Sequence, residues 1–376
     1  MESVRAPLYG FTWSDTLQIH GFASQAFIQT SENRFFGDSK EGSFDFTELG
    51  LNASIRPVPD LQFSVQVLSR RAGGGDNGDL QLDYGFLDYS LISNASKDFG
   101  FRLGRVKNPL GFYNDTRDVA FTRPSILLPQ SIYFDRTRNL ALSSDGIHFY
   151  SDHRTKYGNF FYELGMGYPD VDDLQTKPEI IGPQPGGLDE RLSYVGRLLF
   201  EKNAGKIRLG VSGAIVNFKF EPVSPAQETG TIRFIPLIFS AQYNSEFWSL
   251  TSEYALRYSK YRQVGAITDF NRTGESYYLQ GAYRFYERFE AFLRYDVLYQ
   301  DRNDRGGNKV ATGPKYSLFA KDWTAGLRWD ITKSWMSRIE YHYIDGTAWL
   351  PVLDNPVGSK TNRYWQLFTV LVSYRF

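Results

Sequence analysis

From Leu17 onward apolar and polar residues alternate with a period of two, the pattern of a strand buried or lipid-covered on one face only. In 44–57, Thr47, Leu49, Leu51, Ala53 and Ile55 share one face, while Glu48, Asn52 and Arg56 share the other. In 61–69, Leu61, Phe63, Val65 and Val67 oppose Gln62, Ser64 and Gln66. Read this way, strands are expected over 17–30, 44–57, 61–69, 80–91, 99–106, 143–151, 159–168 and 192–202. Eight more are expected over 207–220, 231–243, 247–258, 275–285, 289–299, 322–331, 335–344 and 364–376. The alternation slips near Phe86–Leu87, which predicts a bulge there. Residues 1–16 read as an unpaired arm.

The connections follow a second rule. Links such as 58–60, 203–206, 244–246, 286–288 and 332–334 are tight, whereas 31–43, 169–191, 259–274, 300–321 and 345–363 are long. Short turns at one end and long loops at the other are the asymmetry of transmembrane barrels, and an even strand number closes the sheet without an edge. The fold class expected is all-β, a 16-stranded antiparallel transmembrane β-barrel over 17–376.

Composition sharpens this. The 376 residues include 25 Tyr and 30 Phe, and aromatics make up 16 %, yet mean hydropathy is −0.40. No run reaches the eighteen or so apolar residues a spanning helix needs. A barrel wall satisfies both facts, with rings toward lipid and polar groups toward the lumen. Lys plus Arg equals Asp plus Glu at 42 each, so no global field recruits nucleic acid. The chain has no cysteine, which excludes disulfides and thiol chemistry. Met1–Arg5 reads as a mature start behind an added Met.

The longest charged connection follows the fifth strand. Residues 109–141 carry Arg117, Arg123, Arg136 and Arg138 against Asp115, Asp118 and Asp135, with Lys107 just before them. A structureless segment of this length in a compact fold is usually functional. It is expected to fold inward as a third loop and to screen solutes by size and charge; the alternative is a set of solvated internal ion pairs. Pro124 and Pro129 stiffen it, and Ile126, Leu127 and Leu128 are placed to pin it to the wall. The inward strand faces offer Arg56, Arg197, Arg257, Arg284, Arg294 and Arg328. Acids match these arginines, so an anion path and a bracing network of ion pairs both remain open.

Other chemistry is sparse. His20, His148, His153 and His342 are dispersed without metal-ligand spacing. Asp170, Asp172 and Asp173 form a weak Ca²⁺ candidate against the reading of a solvated acidic loop. There is no G-x-S-x-G, P-loop or dinucleotide fingerprint, and no cofactor is expected.

Leu103-Gly104-Arg105-Val106-Lys107-Asn108-Pro109-Leu110-Gly111, with Phe121-Thr122-Arg123 and the Arg138-to-Gly146 spacing, resembles the step that ends the fifth strand of Gram-negative porins. It is most similar to the phosphate-selective porin O and P family; elsewhere the agreement is in architecture alone. The terminal row Phe368, Val370, Val372, Tyr374 and Phe376 resembles the signal read by the barrel assembly machinery. The resemblance implies a homotrimer in the Gram-negative outer membrane, set in lipid and lipopolysaccharide, passing small hydrophilic solutes. That family's phosphate path is rich in Lys, whereas this loop has none, so phosphate selectivity is not implied; a modest preference for anions is expected instead from the loop's net charge of +1, with Lys107 at its entry. Two rivals are a barrel sheathing a protein partner and an outer-membrane lipase-like enzyme, which would need a Ser–His pair with an orienting acid.

Overall fold

The computed structural model describes residues 11–14, 17–171, 173–224, 227–310, 313–356 and 358–376. The strands are β1 (Phe11–Ser14), β2 (Leu17–Thr30), β3 (Ser43–Val58), β4 (Leu61–Ala72), β5 (Asp76–Ser93), β6 (Lys97–Lys107), β7 (Ser143–Thr155) and β8 (Gly158–Pro169). They continue as β9 (Gly187–Lys202), β10 (Ile207–Glu221), β11 (Gly230–Asn244), β12 (Trp248–Arg262), β13 (Phe270–Phe285), β14 (Phe289–Tyr299), β15 (Phe319–Asp330), β16 (Trp335–Gly346) and β17 (Tyr364–Arg375). Each strand from β2 to β17 pairs antiparallel with its neighbour in sequence, and β17 closes on β2 from Leu367 opposite Thr30 to Arg375 opposite Phe22. The result is a closed barrel of sixteen strands, in which every backbone ladder is satisfied without an edge. Among the described residues no helix is long and apolar enough to cross a membrane.

Within the expected arm, Phe11–Ser14 is not unpaired: it forms a short antiparallel ladder with Leu17–Ile19. Residues 1–10, 15 and 16 lie outside the described residues. Of the tight links, two carry consecutive left-handed residues, Asn203–Ala204 and Tyr286–Glu287. That backbone matches the right-handed twist of the strands they join.

The alternation read from sequence sorts the two faces. Leu49, Leu51, Ile55, Phe63, Val65, Phe368 and Val372 are exposed on the outer surface, while Glu48 and Gln66 are buried inside. The predicted bulge is displaced. Gln66 pairs with Tyr84 but Val67 with Leu82, so Asp83 is the extra residue; the register shifts again between Ser69 and Arg71, and a third irregularity skips Leu91. The bulge turns the buried Asp83 carboxylate into the lumen. Phe376 exchanges backbone hydrogen bonds with Gly21 at 3.0 and 3.3 Å. Its ring occupies the space a Cβ on Gly21 would need, which draws the seam shut.

Four tryptophans stand on the outer surface: Trp248, Trp323, Trp329 and Trp335. Trp248, Trp329 and Trp335 sit beside tight turns, against Tyr243, Phe289 and Tyr374; Trp323 packs on Tyr295 at 4.5 Å toward the long-loop end. Amphipathic rings at two levels mark the edges of an apolar band. In liposomes, variants keeping one of these four are expected to be quenched more by headgroup-depth quenchers than by deep ones. The reverse order would show that the strand faces are assigned wrongly.

The inner face carries a hydrophobic core of its own. Ala26 and Ile28 of β2, Met336 and Ile344 of β16, and Trp365, Leu367 and Leu371 of β17 are buried with Ala120, Phe121, Ile126 and Leu127 of the segment after β6. Phe35, Phe36, Trp349 and Leu350 from two long loops belong to the same cluster. Segments joining the strands therefore fold into the barrel and fill it on this side.

Candidate pore constriction

Between β6 and β7 the chain turns into the lumen. Apart from one 3-10 turn (Asn114–Thr116) and a short helix, α1 (Arg138–Leu142), it has no regular structure. A buried segment without regular structure must find partners for its backbone groups elsewhere. Wall charges supply them. Arg197, Arg294 and Arg338 donate to the carbonyls of Gly111, Leu127 and Arg123 at 3.1, 3.1 and 2.6 Å. Arg257 and Arg328 donate to those of Ser131 and Phe121 at 2.5 and 3.4 Å. In return Glu253, Glu340 and Asp296 accept from the N–H groups of Phe112, Leu127 and Ser131 at 3.0, 3.3 and 3.2 Å.

Arg56 and Arg284 take no part in this; they bond Gln62, and Glu290 with Asp330, near the short-turn end. Arg328 also bonds Asp330 at 2.7 Å.

Side-chain charges of the loop fall into two linked sets. In the first, Arg70 of β4 meets Asp76, Asp135 at 2.9 Å and Glu48 at 3.5 Å. Arg123 reaches Glu48 at 2.7 Å and Arg117 reaches Asp135 at 3.5 Å. In the second, Lys107 bridges Asp83 and Asp118, and Arg138 also holds Asp118. Asn139 joins the sets by donating to Asp76 at 3.3 Å. Five cations face five carboxylates, so the cluster is formally neutral. Burial pushes the Arg138 guanidinium down to about 9 and that of Arg117 to about 10, both still charged at neutral pH. Arg117, Asp118, Arg123, Asp135 and Arg138 are all buried. Asp115 and Arg136 lie apart from this cluster: Asp115 bonds Arg197 at 2.8 Å, and Arg136 lies 3.3 Å from Glu179.

On the opposite wall the buried Glu253 gathers four donors: Tyr133 Oη at 2.6 Å, Ser240 Oγ at 2.5 Å, Tyr278 Oη at 3.0 Å and the Phe112 amide. Burial and the Glu253 charge push the Tyr133 phenol well above its ordinary range, so it donates. Gly111 is left-handed at φ 61°, and a Cβ there would run into Tyr133 Oη. Ile126 and Leu127 join the inner hydrophobic core, whereas Leu128 packs with Phe112, Tyr113, Tyr133 and Leu199.

Space remains on both sides of the loop. A vestibule of about 750 Å³ at the short-turn end is lined by Arg56, Asp60, Asp88, Arg102, Glu163 and Arg197 among others. A gap of about 60 Å³ separates Leu110, Leu140 and Ala141 from Ser193, Val195 and Ala214. Val195 and Arg197 share one face of β9, so Arg197, bound to Asp115 and to Glu163 at 2.6 Å, stands between gap and vestibule. A third cavity opens toward the long loops.

For the Ca²⁺ candidate, Asp170 pairs with Arg105 at 3.0 Å and Asp173 accepts from the Gln175 and Thr176 amides. Asp172 lies outside the described residues. No group of acidic or histidine side chains among the described residues is placed to hold a metal. One Ser–His contact was not read from sequence, Ser144 Oγ to His148 Nε2 at 3.3 Å. It faces the lumen, and Ser144 also bonds Asn108 at 3.0 Å.

No family model and no curated protein matches this sequence. Solved structures do. The outer membrane channel DcaP of Acinetobacter baumannii superposes with a TM-score of 0.62 at 13 % identity, over 98 % of this chain and 100 % of that one. OprB of Pseudomonas putida gives 0.61 at 10 %, over 96 % and 94 %. An anion-selective porin from Comamonas acidovorans gives 0.58 at 14 %, over 96 % and 99 %. At such identities the likeness establishes the fold, that of Gram-negative outer-membrane porins, over nearly the whole chain; it does not single out the phosphate-selective family.

Proposed function

We propose that the chain is an outer-membrane channel through which small hydrophilic solutes diffuse passively, with a modest preference for anions, and that it is not an enzyme. The observation that carries the reading is the third loop folded across a closed barrel, with a polar vestibule on one side, a cavity on the other and a narrow gap between. The gap follows the β7–β11 wall. A passage there would pass Arg197, which Asp115 and Glu163 outweigh, so the anion preference draws on Arg136, Arg257 and Arg272 of the cavity beyond the gap. The Comamonas acidovorans neighbour is described as anion-selective, which agrees with this sign.

The alternative of a substrate-specific channel shares the same route and differs in whether a solute is held on the way. A sheath around a partner fits poorly with a lumen filled on the β16–β17–β2 side. A hydrolase fits poorly with a Ser144 hydroxyl engaged by Asn108. In the outer membrane the short turns would face the periplasm; assembly by the barrel machinery through Phe376, contact with lipopolysaccharide and a homotrimer belong to the same proposal.

Planar bilayers under a KCl gradient test it. Discrete conductance steps are expected, grouped in threes for a trimer, with a reversal potential displaced toward chloride. Absence of steps from folded protein would remove the channel reading, and a potential displaced toward potassium would remove the anion preference.

A further inference from the structure

The cavity toward the long loops, about 160 Å³, lies between the loop and the β10–β14 wall, and its lining is chemically divided. One part is apolar, made by Phe134, Leu140, Phe218, Ile232, Phe234 and Tyr261. The other part holds Arg136, Arg257, Arg272 and Glu179. Three arginines against one carboxylate leave a surplus of two positive charges. Burial also raises the Glu179 carboxyl above its ordinary range, against the pull of Arg136, which makes it a weaker counter-charge.

The arginines differ in how they are held. Arg136 lies 3.3 Å from Glu179 and donates to the Ala348 carbonyl at 2.8 Å. Arg257, at the floor, is fixed by the Ser131 carbonyl and Ser276 Oγ, and lies 4.7 Å from the centroid of Phe134. Arg272, at the rim, rests 4.8 Å over Phe270. Neither Arg257 nor Arg272 is in a salt bridge with a carboxylate among the described residues. Their relative position follows from register: Arg257 opposes Gly274 and Arg272 opposes Ser259, so both lie on the inner face of adjacent strands, two residues apart. Gly274 leaves room for the Arg257 guanidinium, which passes close to where a Cβ would stand.

A surplus of guanidinium not salt-bridged to a carboxylate, walled by rings, recognises an anion that brings its own apolar body. A carboxylate matches the paired donors of Arg. A cavity of this size holds about one aromatic ring. We propose that this cavity is a binding site for an amphipathic organic anion, a carboxylate carried on a single ring. The carboxylate lies between Arg257 and Arg272, and the ring lies against Phe134 and Phe218. The site deepens the anion-channel reading by naming a solute class, and it rests on that reading for how the solute passes onward. Binding itself needs no conduction.

The test is calorimetry of benzoate, benzamide, acetate and inorganic phosphate on the folded full chain in detergent, with heat-modifiable mobility as the check on folding. Benzoate is expected to saturate one site per chain, and benzamide, acetate and phosphate to bind at least tenfold more weakly. Arg272→Gln, whose side chain supports nothing but the rim, should weaken benzoate at least tenfold. Glu179→Gln keeps an acceptor for the Val352 amide, which lies at 3.1 Å, and removes the competing charge; it should tighten benzoate several-fold. Benzamide as tight as benzoate, acetate or phosphate as tight as benzoate, or unchanged affinity in Arg272→Gln would each overturn the proposal. Benzoate binding without bilayer conductance would remove the channel and leave the site; conductance without benzoate binding would do the opposite.

Discussion

Arg123→Glu is expected to raise single-channel conductance several-fold and make it noisy. The Arg123 guanidinium lies 2.7 Å from Glu48, both side chains buried. Reversal brings two carboxylates together where water cannot screen them. Removing one partner of a buried pair costs about 3–5 kcal/mol, and each 1.4 kcal/mol is about tenfold in an equilibrium. The position of the loop against β3 and β4 is therefore no longer the dominant state. The strands are held by their own ladders and outer rows, so the barrel persists while the loop leaves the wall. The swap Arg123→Glu with Glu48→Arg restores the pair but not its geometry with Arg70 and Phe46, and should bring conductance part of the way back. Heat-modifiable mobility equal to wild type, with unchanged conductance in Arg123→Glu, would mean that this contact does not hold the loop. The same burial changes what charge reversal here reports: it reads the lock on the loop before it reads selectivity.

How much of this was legible in the sequence depends on which face a residue serves. Outer rows such as Leu49, Leu51 and Ile55 alternate with polar residues, so all sixteen barrel strands could be placed. Inner faces are less regular, because they answer to loops distant in sequence. Trp365, Leu367 and Leu371 face inward, while Phe368, Val370 and Val372 face outward; a strand apolar on both sides shows no contrast from which a filled lumen could be inferred. The bulge was misplaced because Tyr84 and Phe86, inward-facing aromatics, mimic an outer row that continues past Asp83. Arg272 was missed for a related reason. Asn271-Arg272-Thr273-Gly274 has no apolar member, so β13 appeared to start at Glu275 instead of Phe270. The balance of wall arginines and acids was visible, but its main purpose was not. These charges hold the carbonyls and amides of an irregular segment, and that requires knowing where the segment lies.

Glu253→Ala is expected to free the loop from the opposite wall, and the absence of cysteine from the chain makes this measurable. Glu253 is 1 % exposed and is the shared acceptor of Tyr133, Tyr278, Ser240 and the Phe112 amide. Truncation leaves three buried hydroxyl donors with no acceptor at that point, while the Phe112 amide keeps Tyr133 Oη at 2.8 Å; each such hydroxyl costs about 1–3 kcal/mol. Tyr278 and Ser240 belong to ladders that stay intact, so they can turn toward any water that enters. Tyr133 and Phe112 belong to the loop, which has no ladder of its own, and moving away is their cheapest response. Ser131, two residues before Tyr133, is 1 % exposed. A Ser131→Cys reporter should therefore react slowly with a charged thiosulfonate in the otherwise wild-type chain, and at least tenfold faster in the Glu253→Ala background. A Thr122→Cys reporter, where the wild-type residue is already exposed, controls for reagent access to the lumen and should change little. Equal rates at position 131 in both backgrounds would show that the wall arginines and carboxylates hold this limb of the loop without Glu253. A rise at both positions would instead report a general loosening of the barrel.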